Sequence, residues 1–333
     1  CYEAIRKGSH SFYAASKLLP KQVRDPAVVL YAFCRVADDN VDAANASQDA
    51  VDLLRERLEL AYRGTPKNEP VDRAFASLVE MSKMPRALPD ALLEGLEWDS
   101  LNLRFETLSD LHSYSARVAS AVGVMMCVIM NVRDKDVLAR ACDLGAAMQL
   151  TNIARDIGED ARNGRLYIPL KWMNEEGLNF NTFLRKPKPC EKTARIAKRL
   201  LVEAEQLYYR AEAGLSELPL FCRPGIFAAR YIYERIGKHI AAANYDSITK
   251  RAFTTKIEKM GFLMLSFANS ATVSVMPRSA IVHAEPLAEM KFLVDAAHEI
   301  QKSRNFLDRK AGTVMNILEQ MERRDRGFQE VME

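Results

Sequence analysis

Two pairs of aspartates are the residues whose type and spacing most directly suggest chemistry. Asp38 and Asp42 form one pair, and Asp156 and Asp160 form the other. Residues four apart lie side by side on an α-helix, so each pair places two carboxylates next to each other. Adjacent carboxylates repel, and a fold tolerates them more readily when cations lie between them. Because no His or Cys shares this spacing, the oxygen ligands favour Mg²⁺ or Mn²⁺ over Zn²⁺.

Other polar residues extend both acidic pairs along their helices. Gln149 and Asn152 share a helix face with Asp156 and Asp160, while Tyr31 and Arg35 share one with the first pair. The alternative interpretation is a solvated acidic surface, on which acids normally alternate with Lys or Arg. Two matching pairs argue against that alternative. The sequence therefore predicts two acidic helices that face each other across a site.

Facing acidic helices would bind a diphosphate through bridging metal ions. Candidate partners for the remaining phosphate oxygens are Arg35, Arg155, and Lys250 or Arg251. Apolar residues available for a wall between the helices are Val118, Val122, Met125, Met126 and Met148. This combination suits a prenyl diphosphate, since metal ions would withdraw the diphosphate and aromatic faces would stabilise the allylic cation. The candidate aromatic residues are Phe12, Tyr31, Phe33 and Tyr245.

Composition excludes several other classes of protein. The 333 residues are 48% hydrophobic and 27% charged with a net charge of +3, which gives no support for nucleic-acid binding. The six cysteines form no CxxC pair, so a structural zinc or a disulfide framework is disfavoured and a reducing compartment is the simpler interpretation. No apolar run reaches the ~18 residues of a membrane span. The sequence begins at Cys1 without Met and gives no basis for assessing a leader peptide.

Helical periodicity runs through nearly the whole chain, and strand patterns are scarce. We therefore expect an all-α fold of eight or more helices packed as one bundle around a central apolar cavity. Expected helices include 27–43, opened by Asp25 as N-cap and Pro26, and the ranges 108–132 and 225–250. Residues 1–274 form the predicted catalytic domain, and 275–333 form an extension with an amphipathic helix.

The acidic pairs and their flanking residues resemble the signature blocks of the squalene/phytoene synthase family. The resemblance rests on three blocks and covers roughly Ala4 to Ser270. These blocks are Gly8 to Phe12, Leu30 to Asp42, and Gln149 to Asp160 followed by Gly164 to Pro169. The resemblance implies an isoprenoid-synthase fold with two diphosphate sites. The sequence is most similar to the bacterial members that make phytoene, which implies head-to-head condensation of two geranylgeranyl diphosphates through prephytoene diphosphate to phytoene.

The resemblance also implies roles for individual residues. The four paired aspartates would bind the metal ions, and Gln149 and Asn152 would line the cavity beside the second pair. Substrate contacts would come from Ser9, Ser11, Phe12, Tyr31, Arg35, Arg155 and Tyr245. One departure is Ala116, where many members carry Tyr, which places the role of that Tyr in doubt here; Tyr114 is two residues away on another side of a helix.

Alternative functions remain open at this stage. A dehydrosqualene or squalene synthase would use farnesyl diphosphate, and a helical assembly factor would keep the fold without the chemistry. We also expect a cytoplasmic protein that contacts a membrane surface without crossing it, through the C-terminal helix or, less favoured, Val118 to Val132. Downstream carotenoid enzymes are further partners that the function would suggest.

Overall fold

The computed structural model describes residues 1–43, 48–273 and 279–298, and side chains at 40–43, 48 and 49 lie outside this description. Within the described ranges the regular structure is helical and no strand is present, which confirms the predicted all-α fold. The elements are α1 Tyr2–Gly8, α2 His10–Ser16, α3 Lys21–Ala43, α4 Gln48–Tyr62, α5 Pro70–Ser82, α6 Ala87–Ser100, α7 Leu108–Ser115, a π-helical turn Ala116–Ser120, α8 Ala121–Ile129, α9 Lys135–Arg162, α10 Leu170–Glu175, α11 Phe180–Arg185, α12 Glu191–Leu215, α13 Arg223–Ala242 and α14 Lys256–Thr272.

Helix α9 runs through the centre of the bundle and packs against α8, α12, α13 and the π-helical turn. Small residues allow this close packing: Ala146, Ala147 and Ala154 are fully buried. At Gly145, an added Cβ would come within 2.7 Å of the Ser120 Cα. The second acidic pair is therefore carried by a helix that other elements of the bundle enclose.

The predicted boundaries of two helices were wrong. Helix α3 begins at Lys21 and contains Pro26, and Asp25 accepts a hydrogen bond from the Tyr2 hydroxyl (2.5 Å) instead of capping a helix. The expected helix 108–132 begins at Leu108 as predicted, continues through the π-helical turn Ala116–Ser120 and ends at Ile129. The expected helix 225–250 ends at Ala242, because Asn244 and Tyr245 adopt the left-handed conformation with φ of 56° and 58°.

Residues 279–298 of the predicted C-terminal extension pack onto the bundle. Arg140 Nη1 donates a hydrogen bond to the Ile281 carbonyl oxygen (2.6 Å). A helical segment at 291–298 buries Leu293, Val294 and Ala297 completely. Residues 299–333, which include most of the predicted amphipathic helix, lie outside the described residues. The domain boundary at 274 therefore stays a prediction.

Candidate active site

An apolar cavity of about 340 Å³ lies among α2, α3, α8, α9 and α13. On α9 its wall extends from Val137 to Asn152, roughly 22 Å at the ~1.5 Å rise of an α-helix. Predicted residues that line it are Phe12, Tyr31, Val118, Val122, Met126, Met148, Gln149 and Asn152. Two predicted residues are in the core instead: Met125 is fully buried, and Phe33 stacks on Phe75 with ring centroids 3.8 Å apart.

Both acidic stretches lie just beyond the same end of this cavity. The last lining residue on α3 is Cys34, and Asp38 follows one turn later. The last lining residue on α9 is Asn152, and Asp156 follows one turn later. The side chain of Asp42 lies outside the described residues. The structure thus gives the cavity an acidic mouth built from two helices.

Asp156 is held by two arginines. Arg155 donates from Nε (2.9 Å) and Nη2 (2.5 Å), and Arg251 donates from Nε (2.8 Å). Burial alone would raise the pKa of Asp156, but the hydrogen bonds from both guanidinium groups outweigh it and hold the pKa below its usual value. Asp156 therefore carries a negative charge that is already matched by cations.

Asp160 has the opposite electrostatic character. Burial, reinforced by the neighbouring Asp156 charge, raises its pKa to about 7. Asp99 on α6 lies close enough to both Asp38 and Asp160 to affect their electrostatics, and burial raises its own pKa to about 6, although the Tyr167 and Tyr114 hydroxyls donate to it. The Tyr167 distance is 2.8 Å and the shorter Tyr114 distance is 2.9 Å. Sequence reasoning missed Asp99, which shares no spacing with another acid.

The loop after α13 is fixed against the acidic end of α9. The Gly158 amide donates to the Ser247 carbonyl oxygen (3.0 Å), and Arg162 Nη1 donates to that of Ile248 (3.1 Å). An added Cβ on Gly158 would lie 2.5 Å from the Ile248 carbonyl oxygen, so only glycine fits this approach. The contact fixes the loop that places Arg251 beside Asp156 and Glu159.

Tyr233 on α13 is a second residue that sequence reasoning missed. Its hydroxyl interacts with Ser9 and Asn152, and burial raises its pKa to about 12. Its ring lies 5.3 Å from that of Phe12, which lies 6.2 Å from that of Tyr31. The Asn152 Oδ1 atom is buried and accepts no hydrogen bond within the described structure. Aromatic rings and an unused amide oxygen therefore meet where the cavity approaches its acidic mouth.

The remaining predicted residues occupy varied positions. Ser9 caps α2 by accepting from the Phe12 amide (3.2 Å), and Ser11 is half-buried on the same helix. Arg35 pairs with Asp38 (3.2 Å) and Asp39 (2.6 Å) at the exposed end of α3. Tyr245 is not brought to the main cavity: it lines a separate smaller pocket of about 140 Å³.

Ala116 is fully buried within the π-helical turn. Tyr114, one α-helical element earlier, is also buried and directs its hydroxyl to both carboxylate oxygens of Asp99. Tyr114, the tyrosine nearest to Ala116 in sequence, therefore contacts the acidic mouth through Asp99. Its ring stacks on that of Tyr167 with ring centroids 5.2 Å apart.

The acidic mouth fits a hard cation by its donor chemistry. In the part of the chain that the structure describes, no three His, Cys, Asp or Glu side chains are already gathered in a metal-binding arrangement. The raised pKa values of Asp160 and Asp99 nevertheless reflect carboxylates whose burial outweighs the nearby Arg165 charge. Such oxygen donors are those that Mg²⁺ prefers.

The sequence matches the family model described as squalene/phytoene synthase over residues 5–258. The chain belongs to the squalene/phytoene synthase family. Among family members, a phytoene synthase from Cereibacter sphaeroides is 52% identical, covering 98% of this chain and 94% of that protein. A phytoene synthase from Rhodobacter capsulatus is also 52% identical, covering 98% of this chain and 96% of that protein. The predicted family resemblance is confirmed.

A solved structure of the family supports the same fold. A dehydrosqualene synthase in complex with a ligand superposes with a TM-score of 0.74 at 30% identity, covering 82% of this chain and 95% of that one. A squalene synthase from Alicyclobacillus acidocaldarius has a TM-score of 0.65 at 22% identity, covering 73% and 92%, and shows the fold alone. The squalene/phytoene synthase fold is therefore present across most of the chain.

Proposed function

We propose that this protein is a phytoene synthase that condenses two molecules of geranylgeranyl diphosphate head to head. Prephytoene diphosphate is the intermediate, phytoene is the product, and diphosphate is released. The observation that carries the proposal is the apolar cavity whose mouth is formed by the acidic ends of α3 and α9. End-to-end similarity to phytoene synthases supports this reaction over others of the family.

Mg²⁺ or Mn²⁺ would be held by Asp38, Asp42, Asp156 and Asp160. When bound, the metal supplies Lewis acidity that makes diphosphate a better leaving group. Arg35, Arg155 and Arg251 are the guanidinium groups at the mouth, and they bind the diphosphate oxygens as bidentate donors. Substrate binding then requires Arg155 and Arg251 to exchange their hydrogen bonds with Asp156 for bonds with the diphosphate.

The cavity residues orient the prenyl chains and exclude water. The rings of Phe12, Tyr31 and Tyr233 lie where the positively charged carbon would form, and their π faces stabilise it. The unused Asn152 Oδ1 and the nearby Gln149 amide position the reacting ends. Contacts of Ser11 and Tyr245 with substrate stay predictions.

Purified protein with geranylgeranyl diphosphate and Mg²⁺ tests the proposal. We expect release of inorganic diphosphate and formation of a C40 hydrocarbon with a conjugated triene. EDTA should abolish both, and added Mg²⁺ should restore them. Asp38→Ala and Asp156→Ala should each remove activity. Full activity in both variants, or absence of product with metal present, would overturn the proposal.

Farnesyl diphosphate in a parallel assay distinguishes the nearest alternative, and added NADPH tests for a squalene product. A helical assembly factor is disfavoured by the intact acidic mouth, and a test for binding of Mg²⁺ together with a thio-diphosphate analogue distinguishes it from the enzyme.

We also propose that the protein is cytoplasmic and contacts enzymes that consume its product, which is consistent with six free cysteines. No helix in the described ranges is both long and apolar enough to cross a membrane.

A further inference from the structure

Helix α14 buries two serines and exposes most of its large apolar side chains, although Phe262 and Leu263 are half-buried. Ser266 and Ser270 are buried against the bundle, and each hydroxyl donates to a carbonyl of its own helix (2.6 Å). On the opposite face Ile257, Met260 and Met264 are 85%, 63% and 68% exposed. A surface helix packed on a soluble core normally exposes polar side chains at such positions. The outer face therefore requires an apolar partner.

The apolar surface is concentrated, not scattered. Among described residues, six of the sixteen large hydrophobic side chains that are exposed fall between positions 253 and 267. They are Phe253, Ile257, Met260, Met264, Leu265 and Phe267, which we call the α14 face. At about 100° per residue, the five helical members fall within one half of the helix circumference. Continuous exposed apolar surfaces of this kind mark interaction sites.

Charge around the α14 face is basic. Glu258 is the acidic residue of α14, and it is turned inward to Arg235 (2.7 Å) and His239 (2.9 Å) of α13. Lys250 and Lys256 are exposed at the N-terminal end, and neither forms an ion pair within the described structure. An apolar strip flanked by unpaired lysines is complementary to an anionic lipid surface.

The α14 face is continuous with the active site. Arg251, which pairs with Asp156, precedes Phe253 by two residues. The inner side of α14 places Leu263 against Ala15 and Ala229, which also line the apolar cavity. A surface bound to this face would therefore lie one helix away from the cavity and next to its acidic mouth.

We propose that the α14 face lies in the headgroup region of an anionic phospholipid membrane. A second copy of the chain would offer Lys250 and Lys256 no acidic partner on its own α14 face, whereas anionic headgroups would neutralise both. The reason for membrane contact, a lipid-borne substrate and product, rests on the proposed function. Lipid binding itself does not require that function.

Vesicle flotation of the full chain without substrate tests this inference. We expect the unaltered protein to float with phosphatidylcholine vesicles that contain phosphatidylglycerol, and to float less with phosphatidylcholine alone or at high salt. Ile257→Glu with Met264→Glu should weaken binding about tenfold or more, because charges would enter the lipid. Met81→Glu on α5 is the matched control, since Met81 is 75% exposed outside the face. It should float like the unaltered protein.

Failure of the unaltered protein to float overturns the inference, whatever the variants do. Equal flotation of the double variant and Met81→Glu, with both folded by thermal unfolding, also overturns it. A concentration-dependent dimer that the double variant abolishes, without flotation, assigns the face to a second copy. Activity on detergent-dispersed geranylgeranyl diphosphate is measured in parallel: an inactive protein that floats sinks the proposed function alone, and an active one that does not float sinks the membrane surface alone.

Discussion

Arg251 lies against Asp156 with its Nε 2.8 Å from Oδ1, although 95 residues separate the two in sequence. The same guanidinium group contacts Glu159 Oε2 at 3.1 Å. A loop held against Gly158 supports this placement. The acidic end of α9 is thus neutralised from a distant segment, which places a guanidinium group at the mouth.

Arg251→Ala is predicted to weaken substrate binding. A charge-assisted hydrogen bond contributes about 1.5–3 kcal/mol, but the pair with Asp156 offsets part of this in the free protein, so we expect a KM increase of about tenfold. Diphosphate-release kinetics measure it. Arg195→Ala, which removes an exposed pair with Glu176, is the control and should leave KM unchanged. An unaltered KM in Arg251→Ala would remove Arg251 from the site.

Magnesium affinity is predicted to weaken as the pH falls through 7. Burial and Asp156 raise the pKa of Asp160 to about 7, so below that pH the carboxyl is mostly protonated and must lose its proton to bind metal. Titration calorimetry with a thio-diphosphate analogue in buffers of different ionisation enthalpy should detect this proton release near neutral pH. A magnesium affinity that does not change between pH 6 and pH 8, about one unit either side of the pKa, would contradict the prediction.

Asp160→Asn is predicted to stabilise the metal-free protein at alkaline pH. The folded pKa of Asp160 is raised, so its contribution to folding is present below pH ~4 and is lost as the pH rises through about 7. At pH 8, by this sign, the neutral amide removes an unfavourable buried charge. We expect an increase in Tm of about 2–4 °C for each kcal/mol gained, measured in EDTA, and a smaller difference at pH 5. A lower Tm at pH 8 would refute the assignment.

Gly158→Ala is predicted to lower both stability and activity. The new Cβ would lie 2.5 Å from the Ile248 carbonyl oxygen, so the loop that carries Arg251 must move. Overpacking of this kind costs about 1–3 kcal/mol. Gly261→Ala in α14 is the matched control, because an added Cβ there meets nothing within 4 Å, and helix propensity favours alanine. Equal melting temperatures for both variants would show that the loop approach is not tight.

Arg140→Met is predicted to destabilise the bundle by about 3 kcal/mol. Arg140 is 1% exposed, its Nε lies 2.8 Å from Asp143 Oδ2, and it bonds the Ile281 carbonyl. Its loss leaves the buried Asp143 with Arg210 alone, so Asp143→Asn in the same chain should restore part of the stability. Denaturant unfolding measures both. Arg86→Met, which removes exposed pairs, should cost less than about 1 kcal/mol.

The sequence was informative wherever a helix alone fixes neighbours. Asp156 and Asp160, or Gln149 and Asn152, share a face because of helical geometry, and the structure keeps them on α9. Lys250 and Arg251 could not be separated by spacing, since their partner is chosen by loop packing. The structure assigns the Asp156 contact to Arg251.

Asp99 and Tyr233 were beyond sequence reasoning for the same physical reason. Asp99 follows Trp98 in an ordinary amphipathic helix, and Tyr233 reads as a core aromatic in α13. Their roles arise because α6 brings Asp99 under Tyr114 and Tyr167, and α13 brings Tyr233 to Ser9 and Asn152. Such contacts between helices depend on the angles at which the helices pack, and these angles cannot be derived from the sequence of one segment.

The anchoring of the loop at Gly158 limits how the mouth can open. Behind Arg251 the backbone is clamped at Ser247 and Ile248, and ahead of it Thr255 caps α14. The intervening stretch is short, so we expect a diphosphate to enter by rotation of the Arg251 guanidinium group while the backbone stays in place. Phe253 lies in the same short segment, two residues after Arg251. If the α14 face docks on a membrane as proposed, the same fixed backbone would hold Phe253 in the lipid and Arg251 at the mouth, so docking would leave the pair of Arg251 with Asp156 in place.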